Sequence, residues 1–244
     1  MLMNQKSRRF APYLLLLAGA FVLVVLFFIS LHVTLGGLAE ESVKRLLDLN
    51  GEGNLPAWYG SFLWLIGAYH AREAALLTKQ LERARPESAY WIALCVGCCL
   101  LSLDEVASIH ENIGAFIDYG VGNPEGYAPV YNWVWVGLVV VALALLAFLR
   151  FLFRLPRQTA LGLVAAGAVF LMGAIGMETF GSRYEYAERF PFGLNWNKVI
   201  ALEEFLEMAG AILFSLVVRM HIERMAGLRT ASAHAIGKAG SRAE

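Results

Sequence analysis

Apolar residues in this chain fall in long blocks, not in the alternation of a half-buried strand or the single stripe of a soluble helix. Six blocks stand out, near 11–35, 55–72, 89–108, 130–150, 158–179 and 198–219. A helix needs about 20 largely apolar residues to cross about 30 Å of hydrocarbon, and each block is of that order. The pattern predicts an all-α fold: a polytopic membrane helix bundle of about six transmembrane helices. The first block follows Lys6, Arg8 and Arg9 and is too long for a secretory signal. No small-residue cleavage pattern follows it, so it reads as an uncleaved signal anchor.

The segments between blocks differ in character. Segment 36–54 sets Leu38, Val43, Leu46, Leu47 and Leu49 among charges, as a short helix lying on the bilayer surface does. Two other loops are aromatic. One carries Phe116, Tyr119, Tyr127, Tyr131, Trp133 and Trp135, the other Phe180, Tyr184, Tyr186, Phe190, Phe192 and Trp196. An interfacial belt is the simpler reading, and a lid over a site the sharper one. Residues 1–225 form one six-helix transmembrane domain on this reading, with no internal repeat. The Ala-, Gly-, Ser- and Arg-containing stretch 226–244 reads as a disordered cytoplasmic tail.

Composition agrees with a lipid environment. Of 244 residues, 58% are hydrophobic and 16% charged, which leaves too little polar surface to cover a soluble domain. The net charge is zero, but the charges are sorted along the chain. With the N-terminus inside, 15 of the 20 Lys and Arg fall on the cytoplasmic side, leaving Lys44, Arg45, Arg183, Arg189 and Lys198 outside. Basic residues are retained inside, so the chain reads as N-in/C-in, a multi-pass protein of a bacterial inner (cell) membrane. The basic inner loops suit anionic membrane lipid, and nothing supports nucleic acid as a partner. Cys95, Cys98 and Cys99 sit within one span, where cysteine packs as a small apolar residue.

Against this background the acids are misplaced. Glu203, Glu204 and Glu207 begin the sixth block, roughly 6–12 Å inside the outer leaflet at 1.5 Å per residue. Each ionisable residue in a span costs at least ~2.5–3.5 kcal/mol. Three carboxylates so close cannot all ionise without protons, a metal or basic partners. The third block ends Ser102-Leu-Asp-Glu-Val-Ala-Ser-Ile-His-Glu. On a regular helix Asp104 and Glu111 share a face, while Glu105 and His110 point elsewhere. Glu178 and His32 lie at the same depth, although a lone His32 on an apolar face is accounted for by packing. His70 and His221 lie near the inner boundary and receive no role.

Oxygen-rich sites with one imidazole suit Zn, Fe or Mn. The expected ligands of a divalent metal ion are Asp104, His110, Glu111, Glu178, Glu203 and Glu207, with Glu204 as the catalytic proton-transfer group. Neither Glu-x-x-His, the di-iron bundle motif, nor His-Glu-x-x-His is present. A Ser-His-Asp relay is excluded because one helix cannot present Ser102 or Ser108, His110 and Asp104 together. The first functional reading is a membrane metal enzyme, hydrolase or oxidoreductase, acting on a lipid or other apolar substrate. The second is a proton or ion relay in a transporter, sensor or accessory subunit of a larger membrane complex. Gly162, Gly173 and Gly176 permit close helix contact, either inside the bundle or between subunits of a homo-oligomer.

Overall fold

The computed structural model describes residues 5–81, 87–120, 131–184 and 190–240. Among the described residues every regular element is helical. In chain order they are α1 (Gln5–Ser30), α2 (Gly37–Leu47), α3 (Leu55–Leu81), α4 (Glu87–Ala107), α5 (Ile109–Gly120), α6 (Asn132–Arg154), α7 (Arg157–Leu171), α8 (Glu178–Tyr184) and α9 (Trp196–Gly240). A π-helical turn, Met172–Met177, joins α7 to α8, and a 3-10 turn, Pro191–Gly193, precedes α9.

Among the described residues four helices are long and apolar enough to cross a membrane: Phe10–Ser30, Glu87–Ala107, Asn132–Arg154 and Arg157–Tyr184. The most apolar window of α6 is only 6% buried within the protein. A water-facing helix could not leave Leu138, Val139, Val140, Leu143, Leu145 and Leu146 so exposed, so lipid covers them. The other two expected spans also fold as helices, α3 of 27 residues and α9 of 45. These two pack against each other at the centre of the bundle, with α4 on α3 and with α1 and α7 on α9.

The contacts explain this arrangement. Leu23, Phe27, Leu63, Trp64, Met208, Ala211 and Ile212 form one core between α1, α3 and α9. Trp91, Phe151 and Val218 form a second towards the other end. Buried hydroxyls tie the helices where lipid offers no partner: Tyr59 donates to the Leu16 carbonyl at 2.6 Å, and Ser61 and Ser102 bond at 2.8 Å. Gly162 of α7 and Gly173 of the π-helical turn are used inside the bundle. A Cβ on Gly162 would lie 2.8 Å from Val217, and one on Gly173 would lie 2.7 Å from the Glu203 carbonyl oxygen.

Helix α9 continues to Gly240, through most of the stretch whose composition suggests a disordered tail; residues 241–244 lie outside the described residues. Helix α2 buries no side chain, and Leu38 on it is 81% exposed. Cys98 is buried, Cys95 half-buried and Cys99 exposed, and all three are free thiols.

Candidate functional site: an acid cluster with one histidine

The site begins at a break in the backbone. Ser108 takes φ 46, a left-handed conformation rare in non-glycine residues, and it separates α4 from α5. The assumption of a regular helix through this region is therefore wrong. Asp104 caps the new helix: its Oδ1 accepts the His110 backbone N–H at 2.9 Å, and its Oδ2 lies 2.8 Å from His110 Nδ1. His110 is thereby fixed on the same side as Asp104, contrary to the expectation that it points elsewhere. Its ring meets Trp133 edge-on, with centroids 4.6 Å apart.

Trp133 continues the chain of contacts. Its indole N–H donates to Glu178 Oε1 at 3.1 Å, so this aromatic belongs to the site and not to a lipid-facing belt. Glu178 follows directly after the π-helical turn, a feature frequent at functional sites. The Glu178 carboxyl lies against that of Glu203. Glu207, one turn further along α9, packs its Cγ against Gly173. Glu204 is within electrostatic reach of Glu105, Glu52, Glu178 and Glu111.

Two acids join that the helix-wheel reading left out. Glu105 projects from α4 onto the bare backbone of Gly60 on α3, and its carboxyl lies beside the Trp64 side chain. Glu52 comes from the turn before α3, where Gly53 at φ 68 lets the chain reverse, and the Ser108 side chain lies near it. Glu52 and Glu111 are exposed at the rim, whereas Asp104, Glu105, Glu178, Glu203, Glu204 and Glu207 are half-buried behind them.

His32 does not join the cluster. It lines an open groove of about 520 Å³ with Val25, Phe28, Ile29 and Val33. Arg183 is exposed, and Arg189 lies outside the described residues. The Lys and Arg ion pairs among the described residues are Lys44–Glu40, Arg154–Glu87 and Arg219–Glu223, none of which involves the cluster.

The metal expectation is not supported by this geometry. Among the described residues no three His, Cys, Asp or Glu side chains converge closely enough to hold an ion. The physical reason is visible in the partners: Asp104 is committed to His110, Glu178 to Trp133 and Glu203, and Glu105 to Trp64.

Residues 13–222 match a family described as a domain of unknown function, DUF8692. The chain belongs to that family. The DUF8692 match takes in every residue of the cluster, from Glu52 to Glu207. No curated protein and no solved structure matches the chain.

Glu52, at the rim of the DUF8692 site, titrates near neutrality. Desolvation of a carboxyl held against the rim, with the charges of Glu111 and Asp104, pushes Glu52 up from 4.5 to about 7, against the pull of His110 and Ser108. Burial disfavours the charged form of His110, but the Asp104 bond and charge outweigh it, aided by Glu111 and Glu178, and its pKa rises. Burial also raises Glu111; His110 opposes the shift, and Glu178 and Asp104 add to it. Glu52 and Trp64 escaped the sequence reading, which turned Glu105 away from the site and set Trp133 in an aromatic loop. Ser108 is no glycine and carries no signature of a left-handed turn, and Glu52 lies in a segment with no motif.

Proposed function

We propose that the protein crosses the membrane six times with both termini in the cytoplasm, and that its acid cluster is a proton-handling station open to the external side. The carrying observation is the close approach of the Glu178 and Glu203 carboxyls inside a cluster that receives no Lys or Arg ion pair among the described residues. Two neighbouring carboxyls with no cation between them are relieved of their repulsion when one carries a proton. The rim supports the same reading, since Glu52, at about 7, exchanges protons with solvent near neutral pH.

The orientation rests on the bias of Lys and Arg to one set of loops. A reporter fused after Glu244 is expected to read as cytoplasmic, and one inserted near Gly122 as external. The opposite pattern would place the cluster on the cytoplasmic side and overturn the external opening.

Infrared spectroscopy tests the station itself. The purified protein at neutral pH is expected to show a protonated-carboxyl C=O band that shifts in deuterated water and is lost or displaced in Glu203→Gln. Absence of any such band in the wild type would overturn the proton reading.

One observation favours the metal enzyme as a second reading. Asp104 holds His110 by Nδ1, which leaves Nε2 to meet a ligand, the second-shell arrangement of metal-bound histidines. On that reading Glu203, Glu207, Asp104 and Glu111 rearrange about Zn, Fe or Mn, Glu204 moves protons, and the substrate is an apolar molecule from the outer leaflet. Stoichiometric metal in elemental analysis, lost in Glu207→Gln, would establish it in place of the proton station.

A further inference from the structure

We propose that the protein conducts protons between the acid cluster and a second station, formed by His70 and Tyr13, along the face of α9 that carries Ser215. This rests on the proton reading above and extends it from a station to a path.

The second station lies towards the opposite end of α3. The Tyr13 hydroxyl and His70 Nε2 are 3.1 Å apart, joining α1 to α3. His70 Nδ1 is buried and has no hydrogen-bond partner. The charged groups around the pair come from two helices: Glu73 on α3, and Arg219 and Glu223 on α9. Arg219 and Glu223 are ion-paired at 3.2 Å, and the Arg219 side chain is 44% exposed, so the pair connects to solvent at that end. With Nε2 taken by Tyr13, Nδ1 is the nitrogen left to exchange a proton.

Between the stations one α9 face is continuous. Glu204, Met208, Ala211, Ser215 and Arg219 recur at helical spacing and so share that face. Met208 and Ala211 belong to the same core as Tyr13, Leu63 and Ala68, which directs the face towards α1 and α3. Ser215 is 1% exposed, and its hydroxyl has no hydrogen-bond partner. A helical Ser or Thr ordinarily satisfies itself on the carbonyl four residues back, as Thr78 and Thr179 do here on Ala74 and Ile175. A buried hydroxyl left without that bond demands another partner, and a water chain entering this face supplies one.

The face is not a permanent channel. Trp64 packs edge-on to Phe170 at 5.0 Å and lies 6.3 Å from Phe214, a dry aromatic layer between the two stations. The Trp64 side chain is also the partner of Glu105. The aromatic layer is thereby coupled to the acid cluster, and a change in the contact between Glu105 and Trp64 acts directly on the layer that water must pass.

The test uses the full chain in liposomes loaded with a pH-sensitive dye, with a membrane potential imposed by a potassium gradient and valinomycin. Wild-type protein is expected to acidify the lumen under a negative-inside potential. Ser215→Ala and His70→Gln are expected to lose most of that uptake with unchanged melting temperatures. Gln at position 70 can still bond Tyr13 but does not titrate, so a purely structural His70 would be rescued by it. Undiminished uptake in both variants would overturn the path. Wild-type protein that shows the Glu203 infrared band but conducts no protons would also overturn the path and leave the station standing. Bound metal without the band would overturn the station reading and the path with it.

Discussion

Replacing Gly173 with alanine is expected to destabilise the protein by about 1–3 kcal/mol, the usual cost of overpacking a tight contact. The added Cβ would lie 2.7 Å from the Glu203 carbonyl oxygen, 2.8 Å from Glu207 Cγ and 3.1 Å from the Glu207 backbone nitrogen. Two of these atoms are backbone and cannot rotate away, so the π-helical turn and α9 must move apart. That movement pulls on Glu178, which starts the next helix, and so on its contact with Glu203 and the hydrogen bond it accepts from Trp133. Gly97→Ala is the control: nothing lies within 4 Å of its Cβ, and its melting temperature should be unchanged or slightly higher. Thermal unfolding in detergent measures both. Equal melting temperatures for the two variants would show that the close approach of Gly173 carries no stability.

The protein is also expected to lose stability as pH rises through neutrality. Glu52 has a folded pKa of about 7 against 4.5 in its ordinary state. The folded protein therefore holds this proton more tightly than the unfolded chain does. Its stabilising contribution is fully present below 4.5 and is lost as pH rises through about 7. His110 and Glu111 are shifted in the same upward direction, and their contributions fade in the same sense. Glu52 and Glu111 are exposed, so solvent screening reduces the size of the effect but not its sign. Melting temperatures followed from about pH 5 to about pH 8 should fall, and Glu52→Gln should flatten the slope and exceed the wild type at the alkaline end. A melting temperature that rises over this range would show that these groups are stabilised as carboxylates, as a bound cation would make them.

Both expectations depend on features with different visibility in the chain. Glu203, Glu204 and Glu207 were legible as a problem because charge in an apolar block has few structural excuses. Glu178 was legible by its depth alone. Glu105 was not, because a helical wheel drawn through Ser108 turns it away from Glu111, whereas the break at Ser108 makes that wheel meaningless beyond it. Trp133 looked like any interfacial tryptophan until its indole was found on Glu178. The metal hypothesis came from counting acids. Counting gives charge but not direction, and the carboxyls are paired with one another, with indoles and with an imidazole.

The sequence by itself determined that the chain is helical and made for lipid, since blocks of apolar residues leave hydrocarbon as the only solvent that suits them. It also determined that the acids gather towards one end of the bundle, because depth along a spanning helix follows from residue number. Tertiary structure decided which acids meet. Contact depends on where a helix breaks, as at Ser108, and on how closely two backbones approach, as at Gly173 and Gly60. Those are set by the balance of packing across different helices, which no local pattern in one of them encodes.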